Sequence, residues 1–263
     1  MKHLPKIGVV LFALGSLSPA FAQDEPVKEP MRTRIILGPK LAPAFPGASD
    51  LSFGPFVDVS RARGDTPFAY EAPDESAGFS LFKTNGFEIG PALGFQGKRT
   101  AADVGAALPK VGFSFEAGAF VQTYLAPTVR VRAEARKGLS GHRGWIGEVS
   151  ADYVARDGDK WLFSLGPRVT LADSKYQNAY FGVAPGSVAA SGLPAYRADG
   201  GVQAVGVSAG ALYQLTPRWG LAGYARYDRL VGDAANSPVT RNLGSRSQPS
   251  VGLALSYTFG GNR

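Results

Sequence analysis

Alternate positions from Ser250 to Phe259 separate into two chemical sets. Val251, Leu253, Leu255, Tyr257 and Phe259 form one, and Ser250, Gly252, Ala254, Ser256 and Thr258 form the other. Successive side chains of a β-strand point to opposite faces, so this pattern requires one greasy environment and one polar or crowded one. The split recurs upstream. Phe87, Ile89, Pro91, Leu93 and Phe95 oppose Glu88, Gly90, Ala92, Gly94 and Gln96. Between 129 and 136, Val129, Val131, Ala133 and Ala135 oppose Arg130, Arg132, Glu134 and Arg136. Charged residues on the face opposite an apolar one, repeated through the chain, are what a closed barrel in lipid needs: oily outside, polar inside.

The pattern predicts twelve strands, at about 31–42, 51–61, 65–72, 76–83, 86–98, 112–124, 127–138, 144–155, 158–172, 199–214, 217–230 and 248–259. Merging or losing the short third and fourth gives a ten-stranded alternative. The fold class is all-β, a transmembrane antiparallel up-and-down barrel. Links after even-numbered strands are tight, as at Leu125-Ala126 and Leu215-Thr216. Links after odd-numbered strands are mostly longer, at 43–50, 99–111, 139–143, 173–198 and 231–247. Short periplasmic turns and long external loops sort in this way when both termini lie in the periplasm. Pro91 and Pro167 cannot donate to a ladder, and a local bulge is expected at each. Trp145, Trp161, Trp219, Tyr213, Tyr257 and Phe259 fall near strand ends, where aromatic girdles form.

The first 22 residues read as an export leader. Lys2 and Lys6 precede the apolar run 7–17, and Ala20-Phe21-Ala22 is a small-x-small cleavage site. Removing 22 of the 263 residues leaves 241, and losing the two lysines lowers the formal charge from +7 to +5. Residues 23–30 then form a short periplasmic arm, and 31–263 a single barrel domain in the outer membrane. The chain has no cysteine, which excludes disulfides, thiol chemistry and cysteine metal sites. Its 34 glycines suit crowded or bent barrel strands.

Several stretches carry a family resemblance: Gly90-Pro91-Ala92-Leu93-Gly94-Phe95, Gln177-Asn178-Ala179-Tyr180-Phe181-Gly182-Val183, Ser191-Gly192-Leu193-Pro194-Ala195-Tyr196, residues 230–239, and Gly252-Leu253-Ala254-Leu255-Ser256-Tyr257. In this order they resemble the MipA/OmpV family of MltA-interacting outer-membrane proteins. The resemblance implies an outer-membrane barrel. Its best-known member is described as a scaffold joining a lytic transglycosylase to a penicillin-binding murein synthase, and other members are associated with adhesion, osmotic response and antibiotic susceptibility. Two departures stand out. Gly260-Gly261-Asn262-Arg263 follows Phe259, where such barrels usually end on an aromatic residue, and Phe45-Pro46-Gly47-Ala48-Ser49 replaces a tyrosine-led version.

The inward faces are expected to hold Glu88, Glu116, Arg130, Arg132, Glu134, Arg136, Glu148, Asp152, Arg168, Arg218, Arg226 and Asp228. Enclosed charges of both signs should pair, because an unpaired charge away from water is costly. The preferred reading is a structural network that fills the lumen; the alternative is a narrow pore or solute-binding barrel lined by charge. Lys98, Arg99, Lys110, His142, Arg143, Lys175, Arg197, Arg241 and Arg246 lie in the external loops, where Arg and Lys suit lipopolysaccharide phosphates. A third reading makes those loops an adhesin.

His142, two residues after Ser140, is the only histidine beyond the leader. A serine hydrolase needs nucleophile, base and orienting group in mutual reach, and loop adjacency does not supply that. No catalytic residue, metal site or cofactor is assigned, and the protein is read as a non-enzyme. Nucleic acid is not expected as a partner despite the basic balance. Expected partners are outer-membrane lipid and lipopolysaccharide, with the lytic transglycosylase and penicillin-binding synthase implied by the resemblance.

Overall fold

The computed structural model describes residues 29–84 and 86–260. The expected leader and all but the last two residues of the arm lie outside the described residues. Twelve antiparallel strands form a nearly closed barrel: β1 (Met31–Pro43), β2 (Leu51–Arg63), β3 (Ala77–Gly78), β4 (Phe82–Thr84), β5 (Phe87–Gln96), β6 (Ser114–Ala126), β7 (Val129–Gly138), β8 (Trp145–Asp157), β9 (Trp161–Ala172), β10 (Gly201–Gln214), β11 (Trp219–Leu230) and β12 (Ser247–Phe259). The first and last strands pair, from Thr33 opposite Phe259 to Leu41 opposite Val251.

The alternating pattern becomes an inside-out distribution of exposure. Leu253 is 67% exposed and Phe53 83%, whereas Arg130 is fully buried. Water would not tolerate this arrangement around a protein; acyl chains require it, because every spanning backbone group must be paired within the sheet and the outer face must be apolar. Trp161, Tyr213, Trp219 and Phe259 cluster at the end that carries the short turns, with Trp219, Tyr257 and Phe259 packed edge-to-face at 4.6 Å.

Three details differ from the sequence expectation. Residues 65–72, expected as the third strand, form none: the chain leaves β2 at Gly64 and runs through the lumen as far as Ser76. The expected fourth strand is two fragments, β3 and β4, both laid on β5. No bulge forms at Pro91 or Pro167; the β5–β6 and β9–β10 registers run straight through them, and the shifts fall at Gln203 and Leu125 instead. Pro91 lies where β3 and β4 break apart, and the β8–β9 ladder lapses opposite Pro167, so the missing donors face places with no bond to lose.

At the other end the long loops fold into a lid. It contains α1 (Ala101–Val104), α2 (Ser174–Phe181), α3 (Val188–Ser191), α4 (Gly232–Asn236) and α5 (Pro238–Leu243). Side chains from four loops meet in one buried apolar cluster, including Phe45, Val104, Leu108, Tyr180, Phe181 and Val239. Thr100 and Asp103 form a capping box that starts α1, and Asp173 caps α2. The lid explains why short helices persist here: each is held by tertiary burial, since helices of this length are unstable alone.

Candidate functional site

The lumen is the chemically distinctive region. Even-numbered residues of β7 point inward, and their guanidinium groups meet carboxylates on β7 itself and on the neighbouring strands. Arg130 pairs with Asp152 at 2.9 Å, Arg132 with Glu134 at 2.9 Å, and Arg136 with both Glu116, at 2.9 Å, and Glu134. Across the barrel, Arg226 reaches Glu148 and Asp228, each at 2.6 Å, and Arg168 reaches Asp152 at 2.9 Å. Glu88 sits nearer the short-turn end, bonded to Lys83 at 3.0 Å, Ser80 and Gln122. Eleven of the twelve residues expected on the inward faces therefore engage in these contacts. Arg218 does not: it is exposed in the turn between β10 and β11, whose short span holds it outside the strand pattern.

The lumen segment 65–76 completes the network, and sequence reasoning missed it. Asp74 takes Arg168 at 2.8 Å and Arg226 at 2.9 Å, and Glu75 pairs with Arg130 and, at 3.8 Å, with Arg132. Phe68 lies beneath Arg34 and Arg32, and Tyr70 beneath Arg130, with guanidinium carbons 4.4, 4.8 and 4.4 Å from the ring centroids. Such stacking suits a weakly hydrated guanidinium in a confined space. Phe68 N–H donates to Asp159, which also holds Arg32 at 3.0 Å, so the segment is fastened at its entry. A signal for it was present: β7 carries three arginines to one glutamate, and 67–75 offers three carboxylates, Glu71, Asp74 and Glu75, together with Pro67 and Pro73, which suit no central strand.

The barrel is thus filled at two levels: ion pairs and the threaded segment in the middle, the apolar lid above. On the short-turn side lies an open recess of about 880 Å³, lined in part by Arg32, Phe68, Lys160, Arg218 and Trp219.

Two loop cations expected to meet lipopolysaccharide are buried instead. Arg99 is 2% exposed and donates to the Tyr180 and Pro109 carbonyls, each at 2.8 Å. His142 is 3% exposed; its Nδ1 accepts from Gly144 N–H at 3.1 Å, so Nε2 carries the hydrogen donated to Glu116 at 3.0 Å. Its ring packs against Tyr176 at 4.6 Å. Burial holds the phenols of Tyr176 and Tyr180 above their usual range, the latter at about 12, so both remain neutral beside it. Ser140 Oγ accepts from Phe115 N–H and donates to the Phe113 carbonyl, each at 3.0 Å. Both imidazole nitrogens are engaged elsewhere, so the Ser140-Gly141-His142 sequence forms no nucleophile–base pair. Among the described residues, no group of three His, Asp or Glu side chains is arranged to hold a metal ion.

Fold and lumen together define an outer-membrane β-barrel protein. The family model described as MltA-interacting protein MipA matches residues 35–259, and the chain belongs to that family. No curated protein sequence matches it. Solved structures similar to it include the COG4313 outer membrane channel from Pseudomonas putida F1, at 12% identity over 93% of this chain and 100% of that one, with a TM-score of 0.40. The toluene transporter TodX of P. putida is similar at 10% identity, over 89% of this chain and 90% of that one, with a TM-score of 0.33. The outer membrane protease OmpT of Escherichia coli is similar at 12% identity, over 89% and 98%, with a TM-score of 0.29.

Proposed function

We propose that the protein is an outer-membrane barrel with a filled lumen that holds peptidoglycan-remodelling enzymes at its periplasmic mouth, exported by the leader 1–22. The supporting observation is the asymmetry of the lumen: filled by Asp74 and Glu75 with their arginines, lidded on the long-loop side, and recessed by about 880 Å³ on the short-turn side. An interaction role asks for a rigid, membrane-fixed surface and not for a through-path. The family description names MltA interaction, which supports a lytic transglycosylase as one partner; the penicillin-binding murein synthase is proposed as the other on the family resemblance alone. The turns at that mouth are short, and a stable interface usually buries more than about 1,000 Å² in total. A partner loop entering the recess would add the area that the turns lack.

No catalytic role is assigned, since His142 is committed to holding the loop at 139–144. Exposed Lys98, Lys110, Arg143, Lys175, Arg197, Arg241 and Arg246 remain suited to lipopolysaccharide phosphates.

Retention of purified lytic transglycosylase and murein synthase on the immobilised barrel tests the reading. Retention is expected, and it should fall when Lys160 and Arg218 are both changed to Glu. Failure of the unmodified barrel to retain either enzyme overturns it.

A further inference from the structure

β2 and the fragments β3 and β4 end the sheet, and no ladder joins them among the described residues. A cavity of about 310 Å³ passes through this seam. Val57 and Val59 line it from the lipid face of β2, and Phe56 lines it from the lumen face of the same strand. Successive side chains point to opposite sides of a strand, so both faces meet one cavity only around a strand edge. Ala77 and Gly78 of β3 line it as well.

Inside the seam the wall departs from the polar-in rule. Ile36, Phe56, Leu162, Leu212 and Ala222 hold inward positions on β1, β2, β9, β10 and β11, pack into one cluster and line the cavity. Arg34 and Asp58, of opposite charge, lie on its lumen side. Glu75 also lines it but is held by Arg130. A mostly apolar pocket that opens through the lipid face draws its occupant from the bilayer.

The lower part of the seam is polar. A second cavity, of about 460 Å³, shares Val59, Tyr70 and Glu71 with the first and is also lined by Arg61 and Lys83. Arg61 pairs across the ladder with Thr33, and Thr33 with Phe259, which sets Arg61 at the level of the periplasmic aromatic girdle. Arg61 and Glu71 are exposed and have no ion-pair partner among the described residues, whereas Lys83 and Arg132 are taken by Glu88 and Glu134.

We infer that the seam is a binding site for phosphatidylethanolamine of the periplasmic leaflet. The phosphate accepts from Arg61, the ammonium donates to Glu71, and one acyl chain passes between β2 and β3 to end among Ile36, Phe56 and Leu212. The upper cavity lies at the small end of ligand pockets, which hold about 300–1,000 Å³, so it admits one chain and leaves the other in the leaflet. A wholly anionic headgroup would leave Glu71 unpaired. Lipopolysaccharide does not fit, because the polar end of the seam lies on the short-turn side.

The test uses the full barrel in vesicles with phosphatidylethanolamine that carries a diazirine near the methyl end of one chain. After irradiation, peptide mass spectrometry should find adducts on Phe56 or Leu212 as well as on lipid-facing residues. V57W, which narrows the seam from the lipid face, should abolish the lumen adducts alone. Native mass spectrometry should show phosphatidylethanolamine retained over phosphatidylglycerol by about 10-fold, the ratio that one charge-assisted hydrogen bond supports. E71Q should bring the two lipids to parity, and R61Q should lower retention of both. Heat-modifiable migration confirms folding of each variant. Adducts confined to lipid-facing residues, or lumen adducts unchanged by V57W, overturn entry of the chain through the seam. Equal retention of the two lipids by the unmodified protein, or no effect of R61Q, overturns the headgroup assignment.

Discussion

Asp74 holds Arg168 through two hydrogen bonds, from Nε at 2.8 Å and Nη2 at 3.0 Å, across 94 positions of sequence. The same carboxylate accepts from Arg226 at 2.9 Å. One residue of the threaded segment therefore neutralises two cations, from β9 and β11, which flank β10 in the wall.

Removing that charge isolates both guanidinium groups. Breaking a buried pair from one side costs about 3–5 kcal/mol. Asp74→Asn should lower the unfolding temperature seen by heat-modifiable gel migration, while Asp65→Asn, in the exposed turn, should leave it unchanged. Equal temperatures for the two variants would contradict the network's structural role.

The lumen segment also depends on a missing side chain. A Cβ at Gly210 would stand 2.9 Å from Pro73 Cγ and 2.9 Å from Ser164 Oγ. Gly210→Val should displace the segment and expose Phe68 and Tyr70 to chymotrypsin added from the periplasmic side. Cleavage indistinguishable from the parent protein would contradict the close approach.

His142→Ala removes the Glu116 hydrogen bond and the Tyr176 contact, at a cost of about 1–3 kcal/mol. The expected outcome is faster proteolysis of the external loops with no change in ester or peptide hydrolysis. A lost hydrolytic activity would restore a catalytic role for the residue.

With the middle and the outer end both filled, the resting barrel should be silent in planar bilayers across salts and voltages. A steady ohmic conductance of the unmodified protein would contradict the packing of Asp74, Glu75 and the lid.

The barrel was legible because alternation is a local rule. Leu253 and Ala254 differ in environment for the same reason that they are adjacent, and the loops sorted by length alone. The inward charges follow the same parity: Arg130 and Glu134 lie on the face opposite Val129 and Ala133. Arg218 was misplaced because it lies just before β11, where parity no longer specifies a face. The segment 65–76 was misread for a deeper reason. Its alternation is that of a wall strand, and only the long-range attraction of Asp74 and Glu75 for arginines on β7, β9 and β11 draws it inside. The lid was equally hidden: the burial of Arg99 and His142 comes from several loops converging, which no local pattern encodes.

The central claim is a lipid-bathed exterior around a polar, filled interior, and quenching by nitroxide-labelled lipid tests it most directly. Single cysteines placed in turn from Ser250 to Phe259, each carrying a small fluorophore, should alternate: strong quenching at Val251, Leu253 and Leu255, and weak quenching at Gly252, Ala254 and Ser256. Uniform quenching along the strand, or the inverse alternation, would contradict the account.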